Sequence, residues 1–251
     1  MGLIDPTAAS GFDLGASDYE RGRPDYPVEV GALLAAELAI GLGSRVCDLA
    51  AGTGKFTRLL LGLGCDVVAV EPVAGMRAQL AEVLPGVEIV DGTAESMPLA
   101  DGSADAVTVA QAFHWFHHQA SLAEIHRVLR PGSGLALVWN RRDERVAWVG
   151  EMSRILEWHD RPHSNYERTD WAGVVAAAGG FTPAERREVE WEQPMTRDLL
   201  EARVRSISYV AAADGAVREE WVRGVLAMVE GMGDEFHLPY VTHLYWCHRQ
   251  P

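Results

Sequence analysis

The sequence predicts an α/β fold: a doubly wound, mostly parallel seven-stranded sheet carrying a helical cap. Three observations predict it. Short β-branched runs alternate with stretches of helical spacing, the pattern of βαβ units on a parallel sheet. The first apolar run, Val46–Leu49, ends in a turn of small residues, Ala50-Ala51-Gly52-Thr53-Gly54, before a helix opens at Lys55. The second, Val67–Val70, ends in Glu71. A strand, a glycine turn and a helix bring a ligand against bare backbone at a helix N-terminus. An acid about 20 residues past the glycines, at the end of the second strand, is placed to hold ribose hydroxyls. A nucleoside-containing cofactor is therefore expected.

The elements follow in order. Val28–Leu42 is an amphipathic helix whose apolar positions Val30, Leu33, Leu34 and Leu38 suit burial on one face. Strand Arg45–Leu49 leads to helix Lys55–Leu63, and strand Asp66–Val70 to helix Val73–Leu84. The third strand, Glu88–Val90, is short, and Asp105–Gln111 is the fourth. Helix Ser121–Leu129 joins it to a fifth strand, Leu135–Trp139. Trp148–Leu156 has helical spacing, and Thr169–Ala178 is a helix stopped by Gly179-Gly180. Ala184–Trp191 is the sixth strand, Thr196–Val210 and Ala216–Met232 are helices, and Val241–Arg249 is a closing strand rich in β-branched and aromatic residues. We read residues 1–251 as one domain, with a lid over 1–27 and the cap and substrate region within 141–240. The segment 1–17, rich in Gly, Ala, Ser and Asp, is expected to be mobile.

Composition narrows the function. A hydrophobic share of 48% fills a core in a chain of 251 residues. The net charge of −14 argues against following a nucleic acid backbone, which needs a basic surface. The N-terminus has no basic-then-apolar signal and there is no long apolar run, so a cytoplasmic protein with no membrane partner is expected. Cys47, Cys65 and Cys247 are isolated, which fits small buried packing groups rather than disulfides. His114, His117, His118 and His126 lack a second cluster at ligand spacing, so no metal is expected. Of eight tryptophans, six (Trp148, Trp158, Trp171, Trp191, Trp221 and Trp246) follow residue 140 and are read as packing for the cap.

The identity of the cofactor turns on one glycine. A dinucleotide fingerprint needs G-x-G-x-x-G, and here Gly52 and Gly54 are followed by Thr57. The stretch instead reads acid-x-small-x-Gly-x-Gly: Asp48, Ala50, Gly52, Gly54. This resembles motif I of the class I S-adenosylmethionine-dependent methyltransferases, with Ala50 in place of the commoner glycine. Gly92-Thr93-Ala94-Glu95-Ser96-Met97-Pro98-Leu99 resembles the family's adenine-binding loop, with Thr93 where an aspartate is usual. Tyr19-Glu20-Arg21-Gly22-Arg23-Pro24-Asp25-Tyr26-Pro27 and His114-Trp115-Phe116 resemble the type 11 subgroup that includes the fungal trans-aconitate methyltransferases.

The resemblance implies a Rossmann-like methyltransferase fold, S-adenosylmethionine as cofactor and S-adenosylhomocysteine as product. It implies cofactor contacts from Tyr19, Arg23, Asp48, Ala50, Gly52 and Gly54, from Glu71, Pro72 and Met76, from Thr93, Ala94 and Glu95, and from Gln111. Arg23 would pair with the methionine carboxylate and Tyr19 would close the lid. An acceptor beyond the fourth strand would meet His114, Trp115, Asn140 and Arg141. His114 is the candidate catalytic residue, either as general base or as a group that orients the substrate. A carboxylate acceptor needs no base but wants an arginine fork, for which Arg141 and Arg142 are the candidates. The acceptor is expected to be a small molecule. An RNA or protein methyltransferase, and a non-catalytic binder of the cofactor, are the alternatives.

Overall fold

The computed structural model describes residues 20–160 and 166–251. Tyr19 and the segment 1–17 lie outside the described residues. The sheet has seven strands in the order β3-β2-β1-β4-β5-β7-β6. They are β1 Arg45–Leu49, β2 Asp66–Val70, β3 Glu88–Val90, β4 Ala104–Ala110, β5 Leu129–Arg142, β6 Glu185–Met195 and β7 Phe236–His248. The first five run parallel, and β7 is antiparallel to both of its neighbours. The order reverses between β1 and β4, so their carboxyl ends diverge into a crevice, the usual ligand site of an open α/β sheet.

The helices are α1 Val28–Glu37, α2 Lys55–Gly62, α3 Ala74–Val83, α4 His118–Val128, α5 Ala147–Ile155, α6 Trp171–Ala178, α7 Arg197–Arg205, α8 Ser208–Ala211 and α9 Gly215–Met228. Two hydrophobic cores cover the two faces of the sheet. One joins Val30, Leu34 and Leu38 of α1 and Phe56 and Leu60 of α2 to Val46, Val67, Ala136 and Val138. The other joins Leu122 and Ile125 of α4 and Trp171 and Val175 of α6 to Cys47, Val68, Val107, Leu137 and Trp139. A third core holds the cap: Val149 and Met152 of α5, Leu200 and Val204 of α7, and Trp221 and Val225 of α9 close on Leu238 and Tyr240 of β7. The three cysteines are free and buried.

Several boundaries differ from the sequence reading: β6 runs on to Met195 and β7 begins at Phe236, and three further differences have a local reason. The first helix stops at Glu37 rather than Leu42, and Ala39 takes a left-handed φ of 51°. β5 begins at Leu129 rather than Leu135, because Leu129 already pairs with Ala104 before a register shift. The stretch Thr196–Val210 is two helices. Ser206 turns its hydroxyl back to the Arg203 carbonyl (2.7 Å), and Ile207 is extended.

The lead-in before α1 ties the sheet to the cap. Glu20 accepts from Thr53 Oγ1 (2.6 Å) and from Arg58 (2.8 Å), and Asp25 accepts from Lys55 (3.2 Å) and Arg58 (2.9 Å). On its other side Arg23 donates to the Ser206 carbonyl (2.9 Å). Gly22 lies so close to α7 that a Cβ there would sit 2.5 Å from the Ala202 carbonyl carbon. Backbone on both sides leaves no flexible atom to yield. Gly22→Ala is therefore expected to lift the lead-in from α7 at a cost of about 1–3 kcal/mol, typical of overpacking. Thermal unfolding and the rate of proteolytic cleavage around residues 20–25 check it. An unchanged cleavage rate would contradict the packing argument.

Candidate active site

The turn after β1 is built from left-handed backbone: Ala50 at φ 57°, Gly52 at 59° and Gly54 at 89°. Ala50 and Ala51 both donate their N–H to the Val70 carbonyl of β2 (2.8 and 3.2 Å). The two glycines differ in purpose. A Cβ on Gly54 would strike Leu84 at 2.8 Å, whereas a Cβ on Gly52 would meet no atom within 4 Å. Gly52 therefore presents bare backbone to the open crevice, a cradle that a side chain would fill.

Two carboxylates frame the cradle. Glu71, buried at 4% exposure, accepts from the N–H groups of Gly52 (2.9 Å) and Val73 (2.8 Å). Burial pushes its carboxyl above the ordinary range, opposed by those two bonds. Each of its oxygens keeps a lone pair for a hydroxyl. Asp48 is buried behind the turn, where Thr57 of α2 (2.6 Å) and Thr108 of β4 (3.2 Å) donate to it. Burial, which outweighs these bonds, pushes its carboxyl up to about 7. Asp48 thus shapes the turn from within.

The next strand ends complete the crevice. Pro72 follows Glu71, and Met76 of α3 is buried. Thr93 and Ser96 exchange backbone bonds, Ala94 is buried, and Glu95 accepts from the His117 N–H (3.1 Å). Gln111 has a left-handed φ of 59° and donates through Nε2 to the Asn140 carbonyl (3.1 Å). These residues and the Gly52 turn come together at the ends of neighbouring strands.

The residues predicted to meet an acceptor separate into different surroundings. His114 and Trp115 lie in a 3₁₀ turn, Phe113–Trp115, with ring centroids 4.8 Å apart. Trp139 Nε1 lies 3.4 Å from His114 Nδ1. An indole nitrogen only donates, so Nδ1 accepts and the proton of neutral His114 sits on Nε2. In that tautomer Nε2 is a donor. Asn140 is buried and engaged at both ends of its amide, donating to the Asp25 carbonyl (3.1 Å) and accepting from Thr242 (2.6 Å).

The candidate fork of Arg141 and Arg142 does not form, since the two side chains have separate partners. Successive strand residues point to opposite faces. Arg141 reaches Glu167 at 3.5 Å, while Arg142 reaches Ser153 at 3.2 Å and lies 4.7 Å over the Trp158 ring. Arg23 donates from Nη2 to the Ser206 carbonyl at the end of α7 (2.9 Å).

Several residues of the site went unread in the sequence. Tyr166 stacks on His114 (4.7 Å), and Trp139 on Trp171 (4.9 Å), making an aromatic wall. Glu20 had a signal, as an acid inside the lead-in motif. Tyr166 had none. Among the described residues no group of His, Cys, Asp and Glu is arranged to hold a metal, and no helix is long and apolar enough to cross a membrane.

Strand order, crevice and glycine turn together define a class I methyltransferase, and the comparisons place the chain within that family. Residues 47–137 match the family model described as a methyltransferase domain. An uncharacterised methyltransferase of Mycobacterium tuberculosis is 41% identical over 243 residues, covering 95% of this chain and 94% of that protein. The chain belongs to the S-adenosylmethionine-dependent methyltransferases and is an enzyme of that family. Among solved structures, a methyltransferase assigned to antibiotic biosynthesis in Anabaena variabilis shares the fold with a TM-score of 0.62 at 24% identity, over 89% of this chain and 98% of that one. Phosphoethanolamine N-methyltransferase 2 of Haemonchus contortus, solved with phosphomonomethylethanolamine and S-adenosylhomocysteine, shares it with a TM-score of 0.60 at 14% identity, over 100% of this chain and 61% of that one.

The raised Asp48 carboxyl sets a pH dependence. Its ordinary value is 3.8 and its folded value about 7. The folded state therefore holds the proton more tightly, so its stability relative to the unfolded chain is full below about pH 4 and declines until about pH 7. Asp48→Asn removes this titration. Denaturant unfolding of the cofactor-free protein should show wild type losing roughly 1–4 kcal/mol relative to Asp48→Asn between those limits. A constant difference across the range would refute the assignment.

Proposed function

We propose that the protein transfers the methyl group of S-adenosylmethionine to a small-molecule acceptor held between His114-Trp115 and the segment after Asn140. The convergence of the Gly52 turn, Glu71, the 93–95 loop and Gln111 on one crevice carries the reading, because these are the strand ends at which open α/β sheets bind ligands. In this reading Gly52 lets the cofactor lie on backbone and Glu71 accepts the ribose hydroxyls. Ala94 and its neighbours flank the adenine, with Pro72 and Met76 on its other side.

The bound cofactor supplies a methyl group on a cationic sulfur, which leaves neutral. The protein's task is then to position the acceptor and exclude water. The aromatic wall of Trp139, Tyr166 and Trp171 serves both ends. His114 serves as a donor that orients the acceptor through Nε2, in keeping with its Trp139 contact. General-base work by His114 would require the other tautomer. The trans-aconitate methyltransferase likeness rests on residues 19–27 and the His-Trp-Phe triplet, and supports a small organic acceptor. The net charge of −14 weighs against RNA or a basic protein tail.

Two experiments test the reading. Titration calorimetry should find that Gly52→Val abolishes S-adenosylmethionine binding and that Glu71→Ala weakens it about 10- to 150-fold, the worth of a charged hydrogen bond. Undiminished binding by Gly52→Val would end the assignment, and a loss below about threefold for Glu71→Ala would move the ribose elsewhere. Once an acceptor is in hand, Trp115→Ala should lower turnover at saturating cofactor at least tenfold, with less than about threefold change in cofactor affinity. The reverse pattern would put Trp115 in the cofactor pocket.

A further inference from the structure

Arg203 is buried at 5% exposure inside a chain of net charge −14, yet among the described residues no carboxylate pairs with it. Its guanidinium makes one hydrogen bond, from Nε to the Tyr240 hydroxyl (3.1 Å), and its buried Nη1 has no partner. A desolvated cation is costly when nothing compensates it. One bond to a neutral phenol offsets a small part of that.

A second arginine shares the defect and the location. Tyr240 lies directly opposite Arg142 in the β5–β7 ladder, so their side chains leave the sheet on the same face. Arg142 donates to Ser153 and lies over Trp158, but its buried Nε is also unpartnered. Glu167, which accepts from Trp158 Nε1 (3.1 Å), is already used, since it faces Arg141 (3.5 Å). The route leads to the site of transfer: Trp158 contacts Tyr166 edge-on at 6.4 Å, and Tyr166 stacks on His114 at 4.7 Å.

We propose that Arg203 and Arg142 seat an oxyanion, a carboxylate or a phosphate, carried by the methyl acceptor. This rests on the function proposed above and supplies the missing chemistry of its substrate. Two guanidinium groups with free N–H bonds on one face suit an anion with several acceptor oxygens. The two cations, Arg203 buried and Arg142 half-buried, give an acidic protein a local attraction for such a group. They also replace the fork that Arg141 and Arg142 cannot form, because Arg203 reaches the Arg142 face from α7.

The test uses the full chain saturated with S-adenosylhomocysteine. Thermal unfolding is followed in chloride, benzoate or inorganic phosphate at equal ionic strength, with benzamide as the neutral control. Benzoate or phosphate should raise the melting temperature above chloride, and benzamide should not. A response to benzoate identifies a carboxylate, and one to phosphate a phosphate ester. Arg203→Met and Arg142→Gln should each abolish the response, weakening oxyanion binding about tenfold or more, while calorimetry shows S-adenosylhomocysteine affinity unchanged. If Arg203→Met does not fold, Arg142→Gln alone decides. No response in wild type, an equal response to benzamide, or a response that survives in a folded variant overturns the proposal. Failure of S-adenosylhomocysteine to bind wild type would instead overturn the function on which it rests.

Discussion

The rest of the structure depends on one buried carboxylate. Asp48 on β1 takes a hydroxyl from Thr57 on α2 and another from Thr108 on β4. A single side chain therefore fixes the strand that delivers the glycine turn, the helix that follows it and the strand across the crevice. Burying a carboxyl is expensive, and hydroxyl donors lower that cost without adding charge. The turn inherits its position from this knot and its curvature from β2, whose Val70 carbonyl receives two successive N–H groups. Glu71 then locks the turn from the front through the Gly52 N–H.

The lead-in works as a second constraint, linking parts that the sheet does not. Glu20 and Asp25 fasten it to the first turn of α2, Gly22 and Arg23 press it onto α7, and the Asp25 carbonyl takes the Asn140 amide. Glycine turn, cap and fifth strand thereby meet in one short segment. The ion pairs in it are partly exposed, and each contributes little alone. The close backbone packing at Gly22 gives the segment its register.

How much of this was legible in the sequence depends on the range of the interaction. β1 and β2 fall where the β-branched runs place them, because strands buried on both faces read as continuous apolar runs, and the short edge strand β3 follows them at its expected bounds. Gly52 and Glu71 were legible because a tight turn and an acid at a fixed spacing are local signals. The single Thr196–Val210 helix failed at a Ser206 hydroxyl bond that propensity does not reveal. The Arg141–Arg142 fork failed on period two of the strand, a rule the sequence contained. Arg203, Tyr166 and the Trp139–His114 contact were not legible, since each joins residues from distant segments whose approach only the packed cap decides. Asn140 was placed at the site but engages the lead-in and β7.

Ala50 and Gln111 show where the fold accepts strain. Both are non-glycine residues in left-handed backbone, at φ 57° and 59°. They end β1 and β4, the two strands between which the sheet order reverses. Such a conformation costs roughly 1–2 kcal/mol for a residue with a Cβ. It persists only where neighbouring bonds over-determine it. Ala50 is held by its N–H to Val70, and Gln111 by its N–H to Val138 and its amide to Asn140. The departure from glycine at position 50 is therefore tolerated because the turn is set by its surroundings and not by its own preference. Strain at both lips of one crevice, balanced by bonds directed away from it, leaves the crevice itself lined by backbone free to meet a ligand.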